Sequence, residues 1–435
     1  MFRCTSCGEE YSLPLIVCPR CGGLVRPVFD WRWEPVRRHG IWGFSRALPD
    51  YDVRVSLGEA WTPVILSNRL FPEGEVYFKD EGRNPTGSFR DRAAAIIISH
   101  AAAEKYKTLI LASDGNMGVS VSAYSARAGL KTIVYVPKNT DPEKILLMKA
   151  YGAKTIIRDE ELDDLLVFVN KEARRRRYYN ASSTYNTLSI EGLKTIAYEI
   201  YLDIGVPDKL YLPLGSGLTL LSIYLGFREL LDHDLIDHIP LLVGVETCGN
   251  PVYAVRLGFP VKHCRERPLP GLSYTRPPII EHVSRVLEKH GDVIVVSRKK
   301  MLDSAKKLSR YEGLFVEPSS AVALAGALED EELEGRIVIL LTGHGLKGPT
   351  LYLRGSRLRE TRIFPGTTKH LILETLSEHP GLTGYEVWKK LGLRITPQAV
   401  YQHLRELEEH GYIFSKIIGD QKRYYLTGKA RRLLG

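Results

Sequence analysis

Short, continuous apolar runs recur through the middle of the chain, separated by segments long enough to form helices. They lie at Leu109–Ala112, Thr132–Val136, Leu210–Leu212, Leu241–Val245 and Ile337–Thr342. Strands buried on both faces of a parallel sheet show such uninterrupted runs, whereas half-solvated strands alternate apolar and polar residues. The pattern over about residues 50 to 350 therefore predicts an α/β doubly wound fold.

The pattern changes after Pro365-Gly366. Three helical segments are followed by two strand-like runs, and the ranges are Thr367–Ser377, Thr383–Leu391, Pro397–His410, Tyr412–Ile418 and Lys422–Leu426. Thr396 is a suitable N-cap for the third helix, and Gly411 is a typical residue after its last turn. Three helices followed by a basic hairpin predict a winged helix.

Composition limits the possible functions only broadly. The 435 residues are 44% hydrophobic and 26% charged, which is typical of a globular protein with more than one domain. No apolar run reaches the roughly 18 residues of a membrane span, and no apolar signal region follows Phe2-Arg3-Cys4, so we expect a cytoplasmic protein without a membrane partner. The formal charge of +9 is compatible with nucleic-acid binding but is also common on solvated surfaces.

Two CxxC pairs stand near the start of the chain. They are Cys4 with Cys7 and Cys18 with Cys21. Each pair places two thiolates on one tight turn, and two such turns complete a tetrahedral site with four sulfur ligands. We therefore predict a structural zinc ion, with two disulfides as the alternative. Cys248 and Cys264 stand apart, and we interpret them as isolated thiols.

Two glycine-rich turns each follow a predicted strand and precede a helical segment. They are Ser113–Gly118 and Gly215-Ser216-Gly217-Leu218-Thr219. Glycines let backbone N–H groups approach a phosphate, and a helix N-terminus favours its negative charge. Either turn alone is a weak signal, because many strand-to-helix turns are rich in glycine.

The order of the motifs around these turns is more specific. It runs through Ser56–Glu59, Thr62-Pro63, Lys79–Gly82, Asn84–Phe89, Gly115-Asn116, Glu191-Gly192, Lys194-Thr195, Glu317–Ser320 and Thr342–Lys347. In this order and spacing, residues 1 to 350 resemble the threonine synthase family of fold-type II pyridoxal-phosphate enzymes. Archaeal members of that family also carry the four-cysteine ribbon.

The only glutamines are Gln398, Gln402 and Gln421, a scarcity that favours a thermophilic source.

The resemblance implies a two-lobed fold and a set of cofactor contacts. It implies that Asn116 faces the hydroxyl of the cofactor's pyridine ring and that Thr342 bonds the ring nitrogen. It places Phe89 beside the ring and implies that Gly215, Ser216, Gly217, Leu218 and Thr219 cradle the phosphate.

The sequence departs from the family at the centre of its chemistry. The family's Schiff-base lysine follows Asn-Pro-Thr-Gly-Ser-Phe, and here that position is Arg90. A guanidinium stays protonated and offers no nucleophilic lone pair, so we expect no catalytic residue at this position. Arg90 could pair with the phosphate, with the aldehyde oxygen or with Asp114.

The substrate side departs as well. The resemblance places Thr86, Ser113, Asp114, Met117 and Ser189 there. The family has a hydroxyl residue in place of Asp114, Thr in place of Met117 and Arg in place of Ser189. An Asp facing a substrate carboxylate at close range would cost several kcal/mol if poorly solvated.

Three explanations remain open. The catalytic site could be lost and reused as a sensor pocket. Another lysine, Lys79 or Lys347, could replace the missing one. The chain could also process some other amino acid slowly without an enzyme lysine.

The third C-terminal helix offers polar side chains suited to DNA. We predict that Gln398, Tyr401, Gln402 and Arg405 form its exposed face. Gln and Arg match adenine and guanine edges in the major groove, and Lys422 and Arg423 on the hairpin would neutralise phosphates. Winged helices also mediate protein contacts, which is the alternative. Regulators of this class usually bind DNA as dimers, so we expect a homodimer.

The leading prediction is a ligand-responsive DNA-binding regulator. Its domains would be a zinc ribbon at 1–30, a degenerate threonine-synthase-like domain at 31–355 with a smaller lobe at roughly 90–200, and a winged helix at 366–435. Pyridoxal phosphate, if bound, would be non-covalent, and the ligand would be an amino acid or a phosphate-bearing molecule. The rival prediction is an active pyridoxal-phosphate lyase or synthase of amino acids with a regulatory tail.

Overall fold

The computed structural model describes residues 1–37, 40–261, 264, 266–348, 367–392 and 395–434, except for the side chain of residue 432. The chain divides into two compact units, Met1–Pro349 and Thr350–Gly435. The domain boundaries expected at residues 355 and 366 lie outside the described residues.

The first unit combines strands and helices in alternation. Its strands are β1 (Phe2–Cys4), β2 (Glu10–Tyr11), β3 (Val25–Pro27), β4 (Val64–Leu66), β5 (Glu75–Asp80), β6 (Thr108–Ala112), β7 (Lys131–Pro137), β8 (Lys154–Arg158), β9 (Tyr179–Asn180), β10 (Lys209–Pro213), β11 (Leu241–Thr247), β12 (Gly291–Val296) and β13 (Arg336–Leu341). Its α-helices within the described residues are α1 (Arg90–Ala103), α2 (Asn116–Ala128), α3 (Pro142–Ala150), α4 (Leu162–Arg176), α5 (Leu188–Ile204), α6 (Leu218–Asp232), α7 (Val252–Leu257), α8 (Ile280–His290), α9 (Arg298–Glu312) and α10 (Val322–Ala327).

Two largely parallel sheets form the frame of this unit. The larger sheet has the strand order β12-β11-β10-β13-β5-β4, in which only β4 pairs antiparallel. The smaller sheet has the order β8-β7-β6-β9 and is parallel throughout. The prediction of an α/β fold with parallel sheets is therefore confirmed.

Close helix crossings explain two glycines, Gly192 of the Glu191-Gly192 motif and Gly226. A Cβ at Gly192 on α5 would lie 2.3 Å from the backbone oxygen of Arg92 on α1. A Cβ at Gly226 on α6 would lie 2.5 Å from the backbone oxygen of Lys194 on α5. Glycine at both crossings lets α1, α5 and α6 pack backbone to backbone, which fixes the position of α1 and the charged residues at its start.

The N-terminal strands form a small sheet of their own, in the order β2-β1-β3. It is joined to the α/β core by buried contacts. The Thr187 hydroxyl donates to the Val25 carbonyl, and Arg26 pairs with both Glu191 and Glu229 at 2.7 and 2.8 Å.

The interpretation of Cys248 and Cys264 as isolated thiols is wrong. The structure joins them in a disulfide that closes the loop after β11, with their Cα atoms 5.9 Å apart. Their separation of 16 residues gave no local signal of this pairing, because only the return of the chain toward β11 brings the two sulfurs together.

The second unit contains helices α11 (Thr368–Glu378), α12 (Gly384–Leu391), α13 (Pro397–Glu409) and α14 (Gly428–Leu434) and strands β14 (Leu382–Thr383), β15 (Ile413–Ile418) and β16 (Gln421–Leu426). The strands form an antiparallel sheet in the order β14-β16-β15. Thr383 and Glu386 form a capping box at the start of α12, and the Thr396 hydroxyl caps α13. The three helices and the hairpin predicted for this segment therefore form at nearly the predicted positions.

No helix among the described residues combines the length and the apolarity needed to cross a bilayer.

Candidate functional site

A cavity lies in the first unit where helices α2 and α6 begin, next to the carboxyl ends of β6 and β10. Clefts at the carboxyl ends of parallel strands are the usual ligand sites of open α/β sheets. The lining residues are Phe89, Arg90, Ala112, Ser113, Asp114, Gly115, Asn116, Met117, Lys144, Ser183, Pro213, Gly215, Ser216, Gly217, Thr219, Pro270, Gly271, Leu272, Tyr274, Ser319 and Thr342.

One wall of the cavity is a glycine cradle at the start of α6. Gly217 has a φ of 78°, and a Cβ there would lie 2.5 Å from the Tyr253 hydroxyl. The Tyr253 hydroxyl in turn donates to the Ser216 carbonyl at 2.9 Å, which holds the turn in place. The first N–H groups of an α-helix have no intrahelical partners and carry partial positive charge, so this wall suits a phosphate.

The opposite wall contains a buried chain of polar groups. Asn116 Nδ2 donates to Glu317 Oε2 at 2.5 Å, and Glu317 Oε1 lies 2.8 Å from Lys144 Nζ. A carboxylate only accepts hydrogen bonds, so Glu317 fixes the orientation of the Asn116 amide. Within the described part of the chain, Asn116 Oδ1 is consequently left buried without a hydrogen-bond partner.

Among the described residues, one lysine lines the cavity, and it is Lys144. Burial opposes its charge, but the carboxylates of Glu317 and Asp141 outweigh this effect and raise the pKa of Lys144 above its usual value. For Glu317, burial opposes ionisation, but Lys144 and Lys347 outweigh it and lower the pKa of the carboxyl group. Both groups are therefore charged at neutral pH, and the Lys144 amine is protonated.

Arg90 begins α1 and extends into the cavity. Its guanidinium carbon lies 4.4 Å from the centre of the Phe89 ring, and Nη1 is buried with no hydrogen-bond partner among the residues that the structure describes. Burial lowers the pKa of Arg90, while Tyr274 and Asp114 act in the opposite direction. Among the described residues, no carboxylate forms an ion pair with this guanidinium, so the cavity holds a cation that has no direct counter-ion.

Asp114 pairs with a loop rather than with Arg90. Its Oδ2 accepts from the Gly271 N–H at 2.6 Å and from the Ser273 hydroxyl at 3.1 Å. Asp163 at the start of α4 holds the same loop by accepting from the Thr275 N–H at 2.8 Å. These bonds connect the helices of the smaller sheet to the loop that closes one side of the cavity.

Most of the residues expected around the cofactor or on the substrate side lie around this cavity. Those that line it are Phe89, Ser113, Asp114, Asn116, Met117, Gly215, Ser216, Gly217, Thr219 and Thr342. Leu218 does not line it, because its side chain is fully buried in the core at the start of α6.

Two residues expected on the substrate side lie elsewhere. The Thr86 hydroxyl donates to Asp91 Oδ1 at 2.6 Å, and this bond turns the side chain away from the cavity. Ser189 is fully buried on α5, and its hydroxyl has no hydrogen-bond partner. Neither side chain lines this cavity, so their place on the substrate side stays a prediction.

Several residues of the site were not anticipated, and four of them hold its charges or close its side. They are Lys144, Gly271, Tyr274 and Glu317. Lys144 follows β7, whose carboxyl end lies at the same sheet edge as that of β6, so the strand order could have placed it there. No sequence signal marks Gly271 or Tyr274, because the loop that carries them reaches the cavity only through tertiary contacts.

The cysteine pairs form a second candidate site. The sulfurs of Cys4, Cys7, Cys18 and Cys21 all lie within 4.8 Å of one another. The Tyr11 hydroxyl lies 3.0 Å from the Cys18 sulfur. Four converging sulfurs at this spacing have the ligand type and number of a tetrahedral metal centre.

The third candidate surface lies on the second unit. Gln398, Tyr401, Gln402 and Arg405 are exposed along α13, as expected for its outer face. The hairpin residues instead have partners in their own unit. Lys422 Nζ lies 2.9 Å from Glu408 Oε2, and Arg423 Nη1 donates to the Gly381 carbonyl at 2.8 Å.

Comparison with known proteins identifies a matching family and similar proteins. Residues 55–343 match the family model described as pyridoxal-phosphate dependent enzyme. The threonine synthase of Methanocaldococcus jannaschii is 33% identical over 395 residues, which cover 81% of this chain and 94% of that protein. The threonine synthase of Methanosarcina acetivorans is 32% identical over 377 residues, which cover 80% and 92%.

Solved structures agree with these relatives on the fold. Diaminopropionate ammonia lyase from Escherichia coli, in complex with an aminoacrylate-PLP azomethine reaction intermediate, superposes with a TM-score of 0.59. The match covers 69% of this chain and 88% of that chain at 19% sequence identity, so it supports the fold alone.

Proposed function

Because the chain belongs to the family of pyridoxal-phosphate-dependent enzymes, we propose that its first unit is a threonine-synthase-like domain that binds a ligand without turning it over, and that its second unit binds DNA in response. The observation that carries the proposal is the identity and environment of Arg90. The cavity keeps a phosphate cradle, but a guanidinium with no ion-pair partner in the described part of the chain stands where the resemblance places the reactive lysine.

The residues present fit pyridoxal phosphate. Gly215, Ser216, Gly217 and Thr219 would hold its phosphate, Asn116 its ring hydroxyl and Thr342 its ring nitrogen. The fit is supported by the buried Asn116 Oδ1, which has no partner among the described residues, and by Gly217, whose missing Cβ lets the turn pack against Tyr253 and Val283. Bound pyridoxal phosphate supplies an electron sink for carbanion chemistry.

Two lysines, Lys79 and Lys144, are unsuited to replace the missing amine. Lys79 is fully buried, with Nζ 2.7 Å from Glu199 Oε2 and 2.6 Å from the Thr62 carbonyl, and it does not line the cavity. Lys144 lines the cavity, but its ion pair with Glu317 keeps it protonated. A protonated amine cannot attack a carbonyl or accept a proton from a substrate carbon.

One observation favours the rival function, an active amino-acid lyase or synthase. Burial lowers the pKa of Lys347 to about 8, and carboxylates at Glu317 and Asp91 only partly oppose it. An amine with this pKa is partly neutral near pH 8 and could act as a base. Its Nζ lies 3.4 Å from the Ser88 hydroxyl, two residues before Arg90.

The DNA-binding half of the proposal rests on the second unit. Its three helices and antiparallel hairpin have the order of a winged helix, in which α13 would enter the major groove. Exposed Gln398, Gln402 and Arg405 have the side chains that read adenine and guanine edges. A homodimer would place two such helices on two half-sites.

We also propose that the four cysteine sulfurs bind structural zinc. A site with four thiolates has no open position for substrate, so the metal would stabilise the small N-terminal sheet rather than catalyse. Metal analysis of the purified protein should find one zinc per chain, and Cys7→Ser should lose it. Full occupancy by zinc in Cys7→Ser would contradict this assignment.

The regulator proposal is tested by DNA selection followed by gel shift. Full-length protein is incubated with random-sequence duplex DNA, and the selected duplexes are titrated with and without pyridoxal phosphate. We expect binding that weakens with salt and changes at least about threefold with the ligand, since an effector must have different affinities for two states. No binding at low salt in either condition would overturn the proposal.

Turnover separates the two functions. The protein with added pyridoxal phosphate is incubated with O-phospho-L-homoserine, and threonine and phosphate are measured. We expect neither product above the level of a denatured control. Sustained release of threonine that is lost in Lys347→Met would support the enzyme and overturn the sensor.

A further inference from the structure

The unpartnered donor on Arg90 indicates what the ligand must present. A buried donor of a charged group that lacks an acceptor is costly, and an acceptor oxygen on a ligand would remove that cost. Stacking of the guanidinium on Phe89 at 4.4 Å holds it beside the cavity. The ligand therefore carries an oxygen acceptor that faces Arg90 Nη1.

Asn116 sets the opposite requirement. Its Nδ2 is committed to Glu317, whose low pKa keeps it an acceptor, so the amide presents Oδ1 to the rest of the cavity. Since Oδ1 is buried and has no partner, a ligand group next to it must donate a hydrogen bond. A protonated ring hydroxyl meets this condition, whereas an ionised one does not.

Asp114 disfavours a carboxylate on the ligand. Its carboxylate already occupies the Gly271 N–H and the Ser273 hydroxyl at the edge of the cavity. A ligand carboxylate would have to compete for these donors and would be repelled by the charge of Asp114. The edge of the cavity is thus unsuited to the carboxylate that every α-amino acid carries.

Resting on the proposed function, we infer that the cavity recognises pyridoxal phosphate itself as a free, non-covalent ligand, with its carbonyl oxygen on Arg90 and its phosphate on the Gly215–Thr219 cradle. Asp114 makes the cavity select against amino acids. The protein would then report the level of the cofactor and not that of an amino acid.

Binding of related phosphates tests the carbonyl contact. Equilibrium dialysis with the full chain compares pyridoxal phosphate, pyridoxamine phosphate and inorganic phosphate. Pyridoxamine phosphate replaces the carbonyl with an ammonium that faces the Arg90 guanidinium, so we expect it to bind at least about tenfold more weakly than pyridoxal phosphate. Inorganic phosphate should compete only at much higher concentration, because it contacts the glycine cradle but not Arg90. Equal affinity for the first two ligands would overturn the inference.

Substitutions at Arg90 provide the second readout. Arg90→Met keeps a long apolar side chain but removes the donors, and should weaken pyridoxal phosphate roughly tenfold to hundredfold while leaving pyridoxamine phosphate little changed or tighter. The exposed Arg127→Met is the matched control and should leave both affinities unchanged. An Arg90→Met variant that keeps the wild-type preference would contradict the carbonyl contact.

Arg90→Lys keeps the inference testable if Arg90→Met folds poorly. Its amine can condense with the carbonyl with loss of water, and borohydride then reduces the product to a stable secondary amine. Mass spectrometry should find this adduct at position 90 in the variant and no adduct in wild type. A borohydride-fixed adduct on Lys144 or Lys347 of the wild-type protein would overturn non-covalent recognition.

Asp114→Ser tests the exclusion of amino acids. O-phospho-L-homoserine should compete with pyridoxal phosphate at least about tenfold more effectively in this variant than in wild type. Competition that is equally strong in both proteins would contradict the role of Asp114.

Failure of this inference and failure of the proposed function give different results. DNA binding that responds to another ligand, with no affinity for pyridoxal phosphate, would overturn the ligand and leave the regulator. Tight, Arg90-dependent binding of pyridoxal phosphate by a protein that never binds DNA would support the ligand and overturn the regulator.

Discussion

Two arginines at the start of α1 differ completely in their surroundings. Arg92 is fully buried and donates to both carboxylate oxygens of Glu81 at 2.7 Å. It also reaches Glu199 at 2.5 and 2.8 Å, and Lys79 completes the group at 2.7 Å from Glu199. Arg90, two positions earlier, has a buried Nη1 with no partner.

The difference separates structural charge from charge available to a ligand. Around Arg92, two cations pair with the carboxylates of Glu81 and Glu199. This network raises the pKa of Arg92 even though burial opposes it. Burial alone would raise the pKa of Glu199. The cations Arg92 and Lys79 outweigh burial and lower this pKa to about 2. At Arg90, burial lowers the pKa, and the opposing effects of Tyr274 and Asp114 do not outweigh it. A satisfied buried charge fixes the fold, and an unsatisfied one favours binding of an acceptor.

Breaking the paired side should have the largest effect. Arg92→Met leaves Glu81 and Glu199 with one cation between them, and should lower the free energy of unfolding by about 3–5 kcal/mol. Denaturant unfolding measures this, and the exposed Arg127→Met should stay within about 0.5 kcal/mol of wild type. Equal losses in the two variants would show that the network contributes little.

Lys347 is a third buried cation that can be compared with Arg92 and Arg90. Among the described residues it forms no ion pair, and burial lowers its pKa to about 8 from the usual 10.5. Below pH 8 the folded state carries a desolvated charge. Between pH 8 and 10.5 the unfolded chain binds the proton more strongly than the folded chain does, so this group makes stability rise with pH.

Lys347→Met should therefore be more stable than wild type at neutral pH. The gain should be about 1–3 kcal/mol at pH 7 and should shrink as the pH approaches 10.5. Unfolding of both proteins at several pH values measures the difference, with the exposed Lys131→Met as control. A gain that does not change with pH would contradict the lowered pKa.

The same contrast can be tested on the second unit. Arg405 is exposed without an ion-pair partner among the described residues, whereas Arg423 donates to Gly381 and to Gln421. Arg405→Ala should weaken binding to selected DNA by about 1–3 kcal/mol. Arg423→Ala should weaken it less and should lower stability instead. The reverse order in gel shifts would place the DNA contact on the hairpin.

Removing the unpaired charge should have the smallest effect on stability. Arg90→Met should unfold within about 1 kcal/mol of wild type, or slightly higher, because it deletes a desolvated group that makes no ion pair. The variant should instead lose the rise in melting temperature that pyridoxal phosphate gives wild type. A large loss of stability without ligand would show that Arg90 is structural.

Local sequence signals were sufficient for the elements and for the cofactor wall. Continuous apolar runs located the parallel strands, and glycine turns after β6 and β10 located two walls of the cavity. Capping residues such as Thr383 and Thr396 set helix starts in the second unit to within about one residue. These features follow from short-range periodicity and hydrogen bonding, which a single sequence displays directly.

The sequence by itself determined the α/β class of the first unit, the position of the two glycine turns after strands and the presence of a guanidinium at position 90. Only the tertiary structure decided that Arg90 has no counter-ion among the described residues, that Asp114 binds Gly271 instead, and that Lys144 lines the cavity. It also paired Cys248 with Cys264 and turned Thr86 and Ser189 away from the site. The physical reason is distance: whether a charge or thiol is paired depends on atoms that segments far apart in the chain bring within a few ångströms, and residue spacing carries no record of that approach.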